Sequence, residues 1–494
     1  MYRTIPQLLG DAAAAHGDDP WLHTDGETLS FAAAADAAGG RAAMLRDRGV
    51  RAGDLVLLTA RTTPDYLLAW LAVTALGAIA VPCNPASTPA ELAGLVEQAA
   101  PRLVITDADL QAQFAGLDVI DVAEFVACGT AELPTAVQPD DIALLIPTSG
   151  TTGQSKLVMQ THRAYAMAGE GFPYWMELDH DDTMLTSLPL FHVNAPAYSV
   201  LGSLACGAQL ALLPRFSASG FLDAARRHEA TEFNAIGAML EILMRQPERP
   251  NDADNPLRLC YTGPAPEHER HLQIEERFGI RIVCGYAMSE TPYGLIWPHG
   301  SRLYGTLGTV RQHPTLGVVN AGRVVDEEGL DLPPGQTGEL LLRNPAVTPG
   351  YWQMPDETAA AITPDGWLHT GDLVTADDQG VYTFVARKKE VLRRRGENLS
   401  PAEVEDVLLA HPDVLECAVV GVESELTEEE IKAFVVTEST PDFPALHRWA
   451  SERLSRFKVP RYWQQLDALP RTPTQRVAKH RLPAGHPDGE LDLG

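Results

Sequence analysis

Residues 141–156 read DIALLIPTSGTTGQSK. The apolar run up to Thr148 predicts a buried strand, and the hydroxyl- and glycine-rich stretch after it predicts a tight loop. Such a loop presents several backbone amides and hydroxyls to a polyphosphate, and Lys156 adds a positive charge at its end. The spacing is not GxxxxGK[ST], so a Walker-type nucleotide fold is not supported. Taken alone, the same residues read equally well as a Ser/Thr/Gly surface turn.

Working outward, DLVLLTA (54–60), AIAVPCN (78–84) and RLVIT (102–106) are further strand-like runs separated by Ala/Leu-rich helical stretches. The alternation predicts an α/β fold with largely parallel sheets. Leu67 to Val81 is shorter than the ~20 residues that cross a bilayer and reads as a buried helix running into a strand. From about residue 320 the texture changes to Gly/Pro-punctuated strands, GRVVD, GELLLRN and GWLHTGDLVTADDQGVYTFVAR, which predict a β-rich subdomain over about 320–386. A charged patch, KKEVLRRRGEN (388–398), precedes an αβ-rich tail long enough to fold alone. The expected division is an N-terminal domain over 1–386, a junction at 387–389 and a C-terminal domain over 390–494.

The 494 residues carry 38 Lys plus Arg against 66 Asp plus Glu, a formal net charge of −28. That surface repels phosphate backbones and anionic headgroups, which argues against nucleic acid and membrane partners. Six cysteines (Cys83, Cys128, Cys206, Cys260, Cys284, Cys417) show no metal-ligand or disulfide spacing, and the first twenty residues lack the basic-then-apolar order of a secretory leader. A cytoplasmic location is expected; the oligomeric state is left open, a homodimer included.

More motifs occur in order along the chain: LPLFH (188–192), GPAP (263–266), GYAMSE (285–290), WLHTGDL (367–373), TFVARKKEVLRRRGEN (383–398) and PRTPT (470–474). Together with TSGTTGQSK they resemble the adenylate-forming superfamily of acyl-CoA synthetases, adenylation domains and luciferases, over nearly the whole chain. FNAIGAMLEILMRQP (233–247), RNPAVTPGYW (343–352) and GVESELTEEEIKAFVV (421–436) look most like the carnitine and medium-to-long-chain acyl-CoA ligase branch. The resemblance implies layered α/β/α sheets with a β subdomain and a small, mobile α+β C-terminal domain. It implies an ATP-dependent ligase that joins a small carboxylic acid to AMP, releases pyrophosphate and passes the acyl group to CoA, with Mg2+ as cofactor.

By the same resemblance Thr148, Ser149, Gly150, Thr151, Thr152, Gly153 and Lys156 would cradle the phosphates, Thr151 and Lys156 taking part in catalysis. Glu290 would hold magnesium. Tyr286 would stack on adenine within the Tyr286-Ala287-Met288-Ser289 run, and Gly263, Pro264 and Ala265 would lie along the adenine. Asp372 would accept from both ribose hydroxyls, with Arg387 beside it as a charged donor. His192 would gate the substrate channel, and Asn194, Phe233, Asn234, Gly237, Ala238, Met239 and Gly285 would line the acyl pocket. The residues from Phe233 onward read equally as a core helix, and a lone His is more often structural. Lys389 would be the hinge. Where amino-acid-activating relatives carry an Asp after an aromatic, this chain has Phe191-His192-Val193-Asn194, which disfavours an α-amino acid.

Two positions depart from the family pattern. The phosphate loop continues Ser155-Lys156-Leu157 instead of Pro-Lys-Gly, and RTPTQRVAKHRL (471–482) places Gln475 and Arg476 where a Gly-Lys pair is usual. Arg476 would then be the catalytic cation, although a planar fork is not a compact ammonium; Lys479 could substitute only if the loop shifts. Three readings follow. The first is an acid:CoA ligase that tolerates Arg476. The second is a relative with another acceptor, such as an adenylation-only enzyme or a nitrite-activating diazotase of specialised metabolism acting on an aryl amine. The third is a nucleotide-binding protein without turnover.

Overall fold

The structure is a computed structural model that describes residues 2–493 apart from 126–128, 149–155, 264, 389, 391, 395–396, 424–428, 473–476 and 484–489, and without the side chains of 237, 238, 393, 397, 398, 423 and 457. The strand-like runs become strands at Leu55–Thr59, Ile79–Pro82, Leu103–Thr106 and Ile142–Thr148. Pro64–Ala75 is a helix: Thr63 caps its first turn by accepting from the Tyr66 amide at 3.2 Å, and Pro64 occupies a first-turn position where no N–H is needed. It is apolar all round because it is buried all round, with Leu67, Leu68, Trp70, Leu71 and Val73 in the core.

Six strands form one sheet in the order Val119–Asp121, Leu103–Thr106, Leu55–Thr59, Ile79–Pro82, Ile142–Thr148, Lys156–Thr161. All its pairings are parallel except the last, where Ile142–Thr148 turns back antiparallel onto Lys156–Thr161. A nine-stranded sheet runs Thr309–Val310, Thr291–Ile296, Arg281–Met288, Leu259–Gly263, Glu232–Ile236, Thr183–Thr186, Gln209–Leu212, Pro20–His23, Thr28–Ser30. Its central strands, from Arg281–Met288 to Pro20–His23, are parallel, as the apolar runs between helical stretches predicted. One core cluster joins both sheets to the helices Ile5–His16, Phe31–Asp47, Pro64–Ala75 and His162–Met176. The α/β class and layering therefore stand.

A four-stranded sheet of Ala321–Val325, Gly338–Arg343, Leu368–Ala376 and Tyr382–Arg387 occupies the stretch read as β-rich. By contacts the chain divides into one compact unit of 1–323, 341–369 and 377–383, and a second of 324–340, 370–376 and 384–494. The second unit contains helices Pro401–Leu409 and Phe443–Arg453 on a sheet ordered Glu416–Glu423, Glu429–Val436, Tyr462–Gln465, Leu491–Asp492. This sheet has its own core around Val404, Val419, Ile431 and Trp463, and it buries the ion pair of Lys432 with Glu490. Among the described residues no helix is long and apolar enough to cross a membrane.

Candidate active site

In the first unit, Thr148 ends one strand opposite Lys156, which begins the next, and the Thr148 hydroxyl donates to the Lys156 carbonyl at 3.2 Å. The loop they bracket holds Ser149, Gly150, Thr151, Thr152 and Gly153, whose expected phosphate contacts lie outside the described residues. The Lys156 ammonium stands 4.4 Å from the centre of the Tyr351 ring. The Tyr351 hydroxyl donates to Glu290 Oε1 at 3.0 Å.

The convergence is built by backbone pairing across long stretches of sequence. The Thr348 amide donates to the Glu290 carbonyl at 2.7 Å, the Met159 amide to the Gly350 carbonyl at 3.0 Å, and the Trp352 amide to the Leu157 carbonyl at 2.8 Å. The buried Gln160 amide donates to the Ser289 carbonyl at 2.5 Å. Gly350 is required here: its φ is +138°, and a Cβ would fall 2.4 Å from the Thr358 side chain. Burial, and then the neighbouring Glu290 carboxylate, push the Tyr351 phenol up, so it stays a neutral donor.

Most of the remaining first-unit candidates lie toward or just beyond the carboxyl ends of parallel strands, where open α/β sheets bind ligands. Phe233 and Asn234 lie on the strand Glu232–Ile236, and the helix begins only at Gly237. The alternative reading as one core helix from Phe233 is therefore corrected: the β-branched and aromatic residues extend the chain until Gly237 allows the turn. Gly237 and Ala238 open that helix, and buried Met239 follows. Phe233 packs edge-on to Phe221 at 5.0 Å. Buried Asn234 donates to Asn194 Oδ1 at 2.7 Å and to the Ser199 hydroxyl at 3.2 Å, joining the strand to the segment that carries half-buried His192.

Ile236 is paired with Gly263, and a Cβ at Gly263 would sit 2.5 Å from the Gly285 carbonyl oxygen. One at Gly285 would sit 2.8 Å from the Tyr261 ring, so both glycines allow close approach of neighbouring strands. Ala265 is half-buried, and Pro264 lies outside the described residues. Tyr286, Ala287 and Met288 end the strand and Ser289 begins the turn after it, all four half-buried, the Tyr286 hydroxyl reaching Met288 Sδ at 3.8 Å. Asp372 and Arg387 belong to the second unit, and the structure pairs them: Arg387 Nε lies 2.8 Å from Asp372 Oδ1. The buried Asp372 is held by its own amide, which donates to Thr370 Oγ1 at 3.1 Å.

Lys389, Gln475 and Arg476 lie outside the described residues. Lys479 is engaged: its ammonium lies 2.8 Å from Glu405 and 3.4 Å from Glu390. The sequence reading missed two side chains, one inside the site and one in the core behind it. Tyr351 stood in the quoted RNPAVTPGYW, but only as a mark of likeness. Arg311 lay in a stretch with no motif; it is fully buried and donates to the Leu295 carbonyl at 3.0 Å and the Tyr198 hydroxyl at 2.8 Å, and it also bonds the Tyr261 hydroxyl.

Among the described residues no cluster of three or more His, Cys, Asp or Glu could cage a metal. A half-exposed carboxylate such as Glu290 is a hard oxygen ligand, and magnesium is commonly held by one or two carboxylates together with substrate phosphates. The residues present therefore fit a nucleotide-borne magnesium.

Residues 9–352 match the family model described as AMP-binding enzyme, and residues 403–476 match the AMP-binding enzyme C-terminal domain. The crotonobetaine/carnitine–CoA ligase of Salmonella agona is 28% identical, covering 97% of this chain and 99% of its own. The crystal structure of ATP-bound MatB from Rhodopseudomonas palustris is similar with a TM-score of 0.88 at 27% identity, covering 98% of each chain. The o-succinylbenzoate CoA synthetase of Bacillus subtilis, in complex with its acyl-adenylate intermediate, is similar with a TM-score of 0.89 at 27% identity, over 98% of this chain and 99% of that one. The same synthetase has been solved with ATP and a magnesium ion. The chain belongs to the AMP-binding enzyme family, and its place among the adenylate-forming ligases stands.

Proposed function

We propose that the protein is a magnesium-dependent, AMP-forming ligase that activates a small carboxylic acid and transfers the acyl group to CoA. A carboxylate oxygen forms a bond to the α-phosphorus of ATP while the bond to pyrophosphate breaks; the CoA sulfur then bonds to the acyl carbon and AMP leaves. Both steps move negative charge, so preorganised cations and amides are the main catalytic resource. The observation that carries this reading is the convergence of Lys156, at the end of the phosphate loop, with Glu290 across Tyr351.

Lys156, with Thr148 and the loop residues Ser149 to Gly153, holds the phosphates, and Thr151 assists transfer. Glu290 holds the magnesium, which when bound neutralises phosphate charge. Tyr286 to Ser289 with Gly263 to Ala265 bound the adenine, and Asp372 with Arg387 takes the ribose. His192, Asn194, Phe233, Asn234, Gly237, Ala238, Met239 and Gly285 line the way in for the acid. Arg476 steers the carboxylate, since the engagement of Lys479 with two carboxylates argues against it as the substitute. A domain boundary at 387–389 with Lys389 as hinge falls between the two family matches, which end at 352 and begin at 403. CoA is favoured over nitrite or no acceptor because the relatives named above are CoA ligases and synthetases. A reducing, cytoplasmic setting agrees with Cys83, Cys206, Cys260, Cys284 and Cys417 all being free thiols.

The test is mass-spectrometric product analysis with ATP, magnesium and a panel of alkyl and aryl acids, with and without CoA. AMP, pyrophosphate and an acyl-CoA are expected; ADP as product refutes the proposal, and AMP release that CoA does not accelerate refutes the choice of acceptor.

A further inference from the structure

Lys156 and Glu290 carry opposite charges on half-buried side chains, one tyrosine apart. Elsewhere among the described residues lysines pair directly with glutamates, as Lys388 does with Glu339 at 3.0 Å and Lys458 with Glu403 at 2.6 Å. A Lys156–Glu290 pair would occupy the phosphate-loop ammonium and the metal-holding carboxylate together, and attraction in a partly buried site is stronger than in water. Instead Tyr351 gives its ring face to the ammonium and its hydroxyl to the carboxylate, so each charge is satisfied without the other.

The ring cannot withdraw easily. Its backbone is clamped on both sides, by the Met159 amide on Gly350 and the Trp352 amide on Leu157, and the Tyr351 amide itself donates to Thr358 Oγ1 at 3.0 Å. Tyr351 is 8% exposed, so water does not screen the two charges through its position.

We infer that Tyr351 is a positioning residue whose aromatic ring keeps Lys156 and Glu290 from neutralising one another, holding both ready for magnesium-bound ATP. The inference rests on the proposed nucleotide site and deepens it. Removing the ring, but not the hydroxyl alone, should let Lys156 close onto Glu290 and take the ammonium away from the phosphates.

The experiment is calorimetric binding of ATP to the full chain in excess EDTA, which reads the lysine without the metal. Tyr351→Leu should weaken ATP binding about tenfold, while Tyr351→Phe should stay within about threefold of wild type. Adding Glu290→Gln to Tyr351→Leu should recover most of the loss, by at least about threefold more than Glu290→Gln changes binding in the wild-type background. A purely structural Tyr351 gives no such coupling. Equal effects of Glu290→Gln in both backgrounds, or undiminished binding by Tyr351→Leu, overturn the inference. If the Leu variant melts before the assay temperature, Tyr351→Met, which fills the volume without a ring face, is measured against the same outcomes. A wild type that binds no ATP overturns the proposed function instead, so the two failures are distinguishable.

Discussion

Replacing Asp372 by Asn keeps the side chain's shape and removes its charge and one acceptor oxygen. In the proposed site the carboxylate accepts from both ribose hydroxyls, and hydrogen bonds to a charged group contribute about 1.5–3 kcal/mol each, against roughly 1 kcal/mol for neutral ones. Asn can keep one acceptor, so one bond is lost and the other weakened, a deficit of at least about 2 kcal/mol; with ~1.4 kcal/mol per tenfold, the KM for ATP rises roughly thirtyfold. The fold should tolerate the change, because the Asn side-chain oxygen can still accept from Arg387 Nε and the Arg387 side chain, 42% exposed, keeps access to solvent for its charge. The assay is steady-state kinetics with varied ATP at saturating acid and CoA, repeated with 2′-deoxy-ATP, alongside a thermal melt. Wild type should discriminate against the deoxy nucleotide, and Asp372→Asn should lose most of that discrimination with its melting curve nearly unchanged. An ATP KM within threefold of wild type, or undiminished discrimination against 2′-deoxy-ATP, refutes the assignment of Asp372 to the ribose.

Gly263→Ala drives a Cβ to 2.5 Å from the Gly285 carbonyl, a backbone atom that cannot swing aside, so it should destabilise the fold by about 1–3 kcal/mol and impair use of the acid; thermal melting and acid KM read this. His162 is buried at the start of the helix His162–Met176, and burial lowers its pKa to about 4. The depressed folded value means its contribution is fully present above about pH 6.5 and is lost as pH falls toward 4, by as much as about 3 kcal/mol. His162→Leu should therefore flatten the acid slope of stability measured by denaturation over that range, and an unchanged slope refutes it. Arg476→Ala should slow single-turnover pyrophosphate release at least about tenfold, with Arg476→Lys restoring it; an unchanged rate in the Ala variant removes Arg476 from the first step.

The local elements were legible because their signals are local. The runs at 55–59, 79–82, 103–106 and 142–148 are apolar and short, flanked by turn residues, and a strand buried on both faces has no other composition available. The motifs pointed to Lys156, Glu290, Asp372 and Arg387 individually. Composition likewise carried the net charge of −28 without reference to any fold, since charge is a sum over residues. What no reading of the chain could supply is which of these residues meet. Tyr351 acquires its place because 348–352 pairs with 156–161, and Glu290 joins them through the Thr348 amide; these contacts span 58 to nearly 200 residues, and no periodicity records them. The junction at Gly237 was equally hidden, since Phe233 to Met239 reads apolar whether coiled or extended, and only the pairing of Glu232–Ile236 with Leu259–Gly263 makes its first half a strand. Buried Arg311 is the extreme case: a lone arginine in an unremarked loop whose partners, Tyr198, Tyr261 and the Leu295 carbonyl, come from three different segments. Sequence alone determined the elements and the chemical inventory because both follow from neighbouring side chains; tertiary structure decided the site, because a site is a set of distances between residues that only long-range pairing brings together.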